Sequence, residues 1–127
     1  MSIGAWEPDA ALPALDEALL VRLIAYSRTE QLDQLETLLA PGEAGLMKLD
    51  HTQWQAAADG LGDDDIVHLI RVLTVAENLS GWEAGQDSPV IPLARSLRKR
   101  GQRLQKDLLL WIREHSENRY LPYGPLL

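Results

Sequence analysis

The chain has 127 residues, the size of one ordinary domain, and its 46% hydrophobic content can supply a single core. It has no cysteine, which excludes a disulfide framework, a thiolate metal site and a cysteine nucleophile. The formal net charge of −7 hides a division: residues 1–50 carry nine acids against three bases, residues 51–90 seven against one, and residues 91–127 three against eight. Such asymmetry marks either an interaction surface or an acidic front half that meets a basic back half within one fold.

Met1 to Ala11 has neither a basic start nor an apolar run, so it does not read as a signal peptide. The longest apolar runs fall far short of the roughly 20 residues that span a bilayer. A soluble, cytoplasmic protein with no membrane partner is the expectation. Leucine is abundant, phenylalanine is absent and runs of β-branched residues are few, which suits interlocking helices. The sequence predicts an all-α fold in one domain, with residues 1–11 an irregular lead containing Trp6.

Pro13 fits the first position of helix one, where its missing N–H is no loss, and Asp16 and Glu17 suit the positive end of the helix dipole. Leu15, Leu19, Leu20, Leu23, Ile24 and Tyr26 form its apolar stripe. Ser27-Arg28-Thr29-Glu30 matches a capping box and predicts the start of helix two, which carries Leu32, Leu35, Leu38 and Leu39 and stops at Pro41-Gly42. Gly42 to Leu49 reads as loop. Asp50-His51-Thr52-Gln53 is a second capping box, opening a short helix that buries Trp54, Ala57, Ala58 and Leu61. Gly60-Leu61-Gly62 breaks it.

Asp63 to Leu79 is the most apolar helical stretch, with Ile66, Leu69, Ile70 and Leu73 at helical spacing and Val67, Val72, Val75, Ala76 and Leu79 widening the surface. A stripe that broad needs several neighbours, so this is the expected central helix. Asn78 to Asp87 is loop around Trp82. Ser88-Pro89 opens helix five with Ser88 as cap, Leu93, Ala94 and Leu97 facing inward, and Gly101 as a left-handed stop. Helix six buries Leu104, Leu108, Leu109, Trp111 and Ile112 and ends near His115; residues 118–127 form an irregular tail.

Tight turns near Thr29, Leu61 and Gly101 group these six helices into three successive αα-hairpins. Val90-Ile91-Pro92-Leu93-Ala94-Arg95-Ser96-Leu97 resembles the first helix of a HEAT- or armadillo-type repeat. That resemblance implies a short stack of hairpins; a compact, irregular helical bundle leaves the same signals.

Catalytic motifs are sparse. His51, His68 and His115 make no zinc-binding spacing, the serines sit in no nucleophile elbow, and no glycine-rich phosphate loop occurs. Asp63, Asp64 and Asp65 answer the helix dipole and lack calcium-loop spacing, so no metal or other cofactor is expected. Asp64, His68 and Arg71 share one helical face: either an acid–base trio or ordinary surface pairs. The sharper interaction signal is the basic run Arg95, Arg98, Lys99, Arg100, Arg103 and Lys106, joined by the aromatic anchors Trp82, Tyr120 and Tyr123. Those segments either bind or pack down. The function expected is non-enzymatic binding of a protein partner of acidic character. Nucleic-acid binding through Arg95 to Lys106 is the alternative, and a small-molecule or catalytic pocket beside His68 a third.

Overall fold

Three consecutive aspartates open the helix on which the others pack. In the computed structural model, residues 15–102 and 105–118 are described, and among them the regular elements are all helical. They are α1 (Glu17–Arg28), α2 (Leu35–Leu38), α3 (His51–Asp59), α4 (Asp63–Ala76), α5 (Val90–Lys99) and α6 (Lys106–His115). Short 3-10 segments precede α2 (Leu32–Gln34), precede α3 (Pro41–Lys48) and precede α5 (Gly85–Asp87). The expected start at Pro13 and the roles given to Trp6 and Leu104 lie outside the described residues.

Helix α4 buries Ile66, Leu69, Ile70, Val72, Leu73, Thr74 and Ala76, a face too wide for one neighbour. It packs extensively against α1 and α5 and more lightly against α6 and α2. Ile66, Leu69, Ile70 and Val72 are wholly removed from solvent. Each such side chain contributes about 1.5–3 kcal/mol by leaving water. The one polar group on this face, the Thr74 hydroxyl, donates back to the Ile70 carbonyl at 2.7 Å, so its burial leaves no orphan donor. The central role expected for this stretch holds.

Helix α1 begins at Asp16, whose carboxylate accepts the Leu19 N–H at 2.8 Å, and lays Leu20, Leu23 and Ile24 against the core. Helix α3 begins with the expected box: Thr52 N–H donates to the Asp50 carboxylate and Asp50 N–H donates to Gln53 Oε1 at 3.1 Å. It buries Trp54 and Ala58 and packs on α5, which in turn buries Leu93, Ala94 and Leu97. The N-cap of α5 is Pro89, one residue beyond the expected Ser88, whose Oγ nonetheless accepts the Val90 N–H at 3.2 Å. Gly101, at φ +80°, closes it: Gln102 N–H donates to the Leu97 carbonyl and Gly101 N–H to that of Arg98.

Three expectations need correction. Ser27 to Glu30 does not open helix two. The helix runs through Arg28, and the same residues form its C-terminal stop: Gln31 N–H donates to the Tyr26 carbonyl, Glu30 N–H to that of Ser27, and Glu30 takes the left-handed conformation at φ +56°. The Ser27 hydroxyl is committed elsewhere, 2.7 Å from a ring nitrogen of His68. Residues 42–49 are not simply loop, since Pro41–Lys48 winds as 3-10 helix and buries Leu46 and Met47. Nor does any of the three expected hairpins pack its own two helices extensively. The large interfaces join α1 to α4, α3 to α5 and α4 to α5. Helices α1 and α3 skip their chain neighbours while α4 and α5 pack on each other, and the result is a compact irregular bundle rather than a stack of repeats.

Candidate binding pocket between α1, α4 and α6

The end of α1, the middle of α4 and the end of α6 enclose an open pocket of about 570 Å³. Each helix contributes by its own periodicity. From α4, His68, Arg71 and Val75 come at the 3–4 spacing that places them one above another on one face. From α6, Trp111 and His115 are likewise one turn apart. From α1 and its stop come Ser27, Arg28 and Glu30, followed by Leu32 and Asp33. The pocket is open and its lining is part polar, part apolar, and His68 lies in its wall.

Within the pocket the aromatic rings are held in register. Trp111 and His115 stack with centroids 4.2 Å apart and planes 19° from parallel, and the His115 ring lies 2.8 Å from the Trp111 carbonyl through Nδ1. The Arg71 guanidinium lies over the Trp111 ring, 4.7 Å from its centroid. Its Nε is buried and finds no hydrogen-bond acceptor, and none of the ion pairs among the described residues includes Arg71. Arg28 differs. Its guanidinium reaches Asp64 at 2.8 Å and Asp65 at 2.6 Å, so its charge is matched.

His68 sits between these cations. Burial disfavours its charged form, Arg28 adds to that effect, and Asp64 opposes it; the net result holds the imidazole pKa below its ordinary value. Asp64 lies 3.8 Å from Nε2, beyond hydrogen-bond distance, and Nδ1 shares a 2.7 Å hydrogen bond with the Ser27 hydroxyl. Serine, histidine and aspartate thus lie in order, with a hydrogen bond only between the first two. Beside Ser27, the amides of Thr29, Glu30 and Gln31 donate to the carbonyls of Ala25, Ser27 and Tyr26.

The described members of the basic run differ in their surroundings. Arg100 turns inward, donating to the Ala58 carbonyl at 2.6 Å, the Leu61 carbonyl at 2.8 Å and the Asp63 carboxylate at 2.9 Å. It ties the end of α3 and the start of α4 to the end of α5. Arg95, Arg98, Lys99 and Lys106 are exposed. Trp82 is only 5% exposed and belongs to the core, so the packed-down alternative describes it and no exposed ring is available there. Arg103, Tyr120 and Tyr123 lie outside the described residues. Sequence reasoning placed His68 and Arg71 on one face but missed Arg71 over Trp111, and took His115 only as a helix end. The i,i+4 spacing of Trp111 and His115 was the signal that pointed to their stack.

A second buried polar group lies away from this pocket. Glu77 is 4% exposed, accepts from the Ser88 hydroxyl, and accepts from Asn118 Nδ2 at 2.8 Å. Burial raises its pKa, and the two hydrogen bonds partly counter that. Asn118 also donates to the Gly85 carbonyl at 2.8 Å, so this carboxyl anchors the chain beyond α6.

No group of three or more His, Asp or Glu residues that could hold a metal ion occurs among the described residues, and none of the described helices is long and apolar enough to cross a membrane. The chain matches no protein-family model, no curated protein and no solved structure. Among the described residues, fold and site define an all-α bundle bearing an open pocket with aromatic rings and an arginine in its wall.

Proposed function

We propose that this protein is a non-enzymatic binding module that docks a protein partner over the pocket between α1, α4 and α6. One observation carries the reading: Trp111 is held between His115 and Arg71 at the wall of a concave site. Tryptophan and arginine are the residue types that dominate binding energy at protein interfaces, above all where neighbours fix them in position and a pocket surrounds them. The partner's own side chain enters the pocket, and the exposed bases Arg95, Lys99 and Lys106 contribute at most to steering an acidic partner. Ser27 and His68 serve in holding α1 to α4 rather than in catalysis.

Site-specific photocrosslinking tests this in the native cell. A crosslinking residue is placed at position Asp33, on the exposed rim of the pocket, or at position Lys99, on α5. The expected result is one discrete adduct from position 33 and none, or much less, from position 99. Adducts from position 99 alone transfer the interface to the basic run. Absence of any adduct from position 33 removes the pocket as the docking site.

A further inference from the structure

We propose that the pocket is a carboxylate site, in which the Arg71 guanidinium receives an acidic side chain or a chain-terminal carboxylate of the docked partner. The inference rests on the pocket being the docking site and adds what it recognises.

A half-buried guanidinium ordinarily meets a carboxylate of its own chain, because a charge removed from water without a partner is destabilising. Here the nearby acids are disposed otherwise. Asp64 and Asp65 are taken by Arg28, and Glu30 and Asp33, both exposed, form no ion pair with Arg71. The pocket therefore keeps one cation in reserve.

Trp111 does more than line the wall. Contact with its ring, 4.7 Å from centroid to Cζ, restrains the Arg71 guanidinium before anything binds, and a guanidinium can give one carboxylate two parallel hydrogen bonds. Ordering that side chain in advance lowers the entropic cost of association. Leu32 and Val75, both half-buried, provide apolar wall for the methylenes that precede a carboxylate.

The charges around the site select among anions. Glu30 and Asp33 line the pocket with Arg71, Asp64 and Asp65 lie on Arg28, and the whole chain carries −7. A doubly charged phosphate meets twice the repulsion of a carboxylate, with no second unpaired arginine among the described lining residues to offset it. The chemistry is that of a singly charged, planar oxyanion.

The test titrates the full chain with three short N-acetylated peptides and with inorganic phosphate, following the indole N–H resonance of Trp111. The first peptide has one internal glutamate and an amidated end. The second has glutamine in its place and an amidated end. The third has glutamine and a free C-terminal carboxylate. The expected result is a saturable shift with the first or the third, which distinguishes a side chain from a chain terminus, and none with the second. Arg71→Met, which keeps a flexible stem against Trp111, weakens that binding by about tenfold or more, and Arg71→Lys falls between because the charge stays and the fork is lost. Equal binding by Arg71→Met, equal binding of the second peptide, or a response to phosphate alone overturns the inference. Adducts from position 33 alongside unresponsive carboxylate peptides leave the docking reading standing and remove this one.

Discussion

The Ser27 hydroxyl lies 2.7 Å from Nδ1 of His68, joining the last turn of α1 to the middle of α4 across 41 positions of sequence. Ser27 is buried, so the bond is shielded on the side where water would compete. Ser27→Ala leaves the imidazole nitrogen without its hydrogen-bond partner and lowers stability by about 1 kcal/mol. Chemical denaturation of the variant beside the parent protein measures it.

The same imidazole makes stability depend on pH in a definite direction. Its folded pKa is depressed below 6.5 by burial, reinforced by Arg28. The unfolded chain therefore binds the proton more readily than the folded one. Stability from this source is fully present above the ordinary imidazole value and is lost as pH falls through the folded value. Urea midpoints measured on either side of 6.5 should fall toward acid, and His68→Gln should flatten that part of the profile.

Glu77 acts with the opposite sign. Its folded pKa is raised above 4.5, chiefly by burial, so its contribution is fully present below that value and is lost as pH rises through the folded pKa. The carboxyl charges at a site that resists charge, although Ser88 and Asn118 donate to it. In Glu77→Gln the decline of stability over this window should disappear. The slope is the quantity to compare, since glutamine offers one acceptor where the two donors now find two.

Helices α1 and α5 end by the same hydrogen-bond pattern with different residues at the left-handed position: Glu30 at φ +56° and Gly101 at φ +80°. A residue with a Cβ costs about 1–2 kcal/mol in that conformation, and glycine avoids most of it. Glu30→Gly is expected to stabilise by about 0.5–1 kcal/mol after the added freedom of the unfolded chain is counted. Gly101→Ala, with open space around the new methyl but strained backbone, is expected to destabilise by about 1 kcal/mol. Thermal melts of the two variants should move in opposite directions.

Within the basic run, one arginine matters for stability and others do not. Arg100 satisfies two carbonyls and a carboxylate and is about one-third exposed, so Arg100→Ala should cost about 1–2 kcal/mol. Arg95→Ala and Lys99→Ala, at exposed positions, should stay within about 0.5 kcal/mol of the parent. Equal losses at all three positions would contradict the inward role of Arg100.

Local chemistry was legible in the sequence where one residue type has one use. Asp50 with Gln53, the aspartates at the head of α4, and Gly101 each announced a helix end that the structure contains. Ser27-Arg28-Thr29-Glu30 was misleading because a start signal and a stop can share residues, and only the partner of the Ser27 hydroxyl decides between them. That partner is His68, on another helix. The pairing of helices was hidden for a related reason. Turn residues tell where the chain bends, but apolar stripes of leucine do not say which stripe they meet. Arg71 over Trp111 and Arg100 over the end of α3 are contacts of this distant kind.

The crossing of helices past their neighbours bears on how the chain acquires its shape during synthesis. Helix α1 has its main contact with α4, and α3 has its main contact with α5. A growing chain that stops before Asp63 has made α1, α2 and α3 but not α4 and α5, against which α1 and α3 chiefly pack. Short helices of this length are marginal in water without such cover. Folding must then wait for α4 and α5 to emerge, and proceeds as one concerted event rather than hairpin by hairpin.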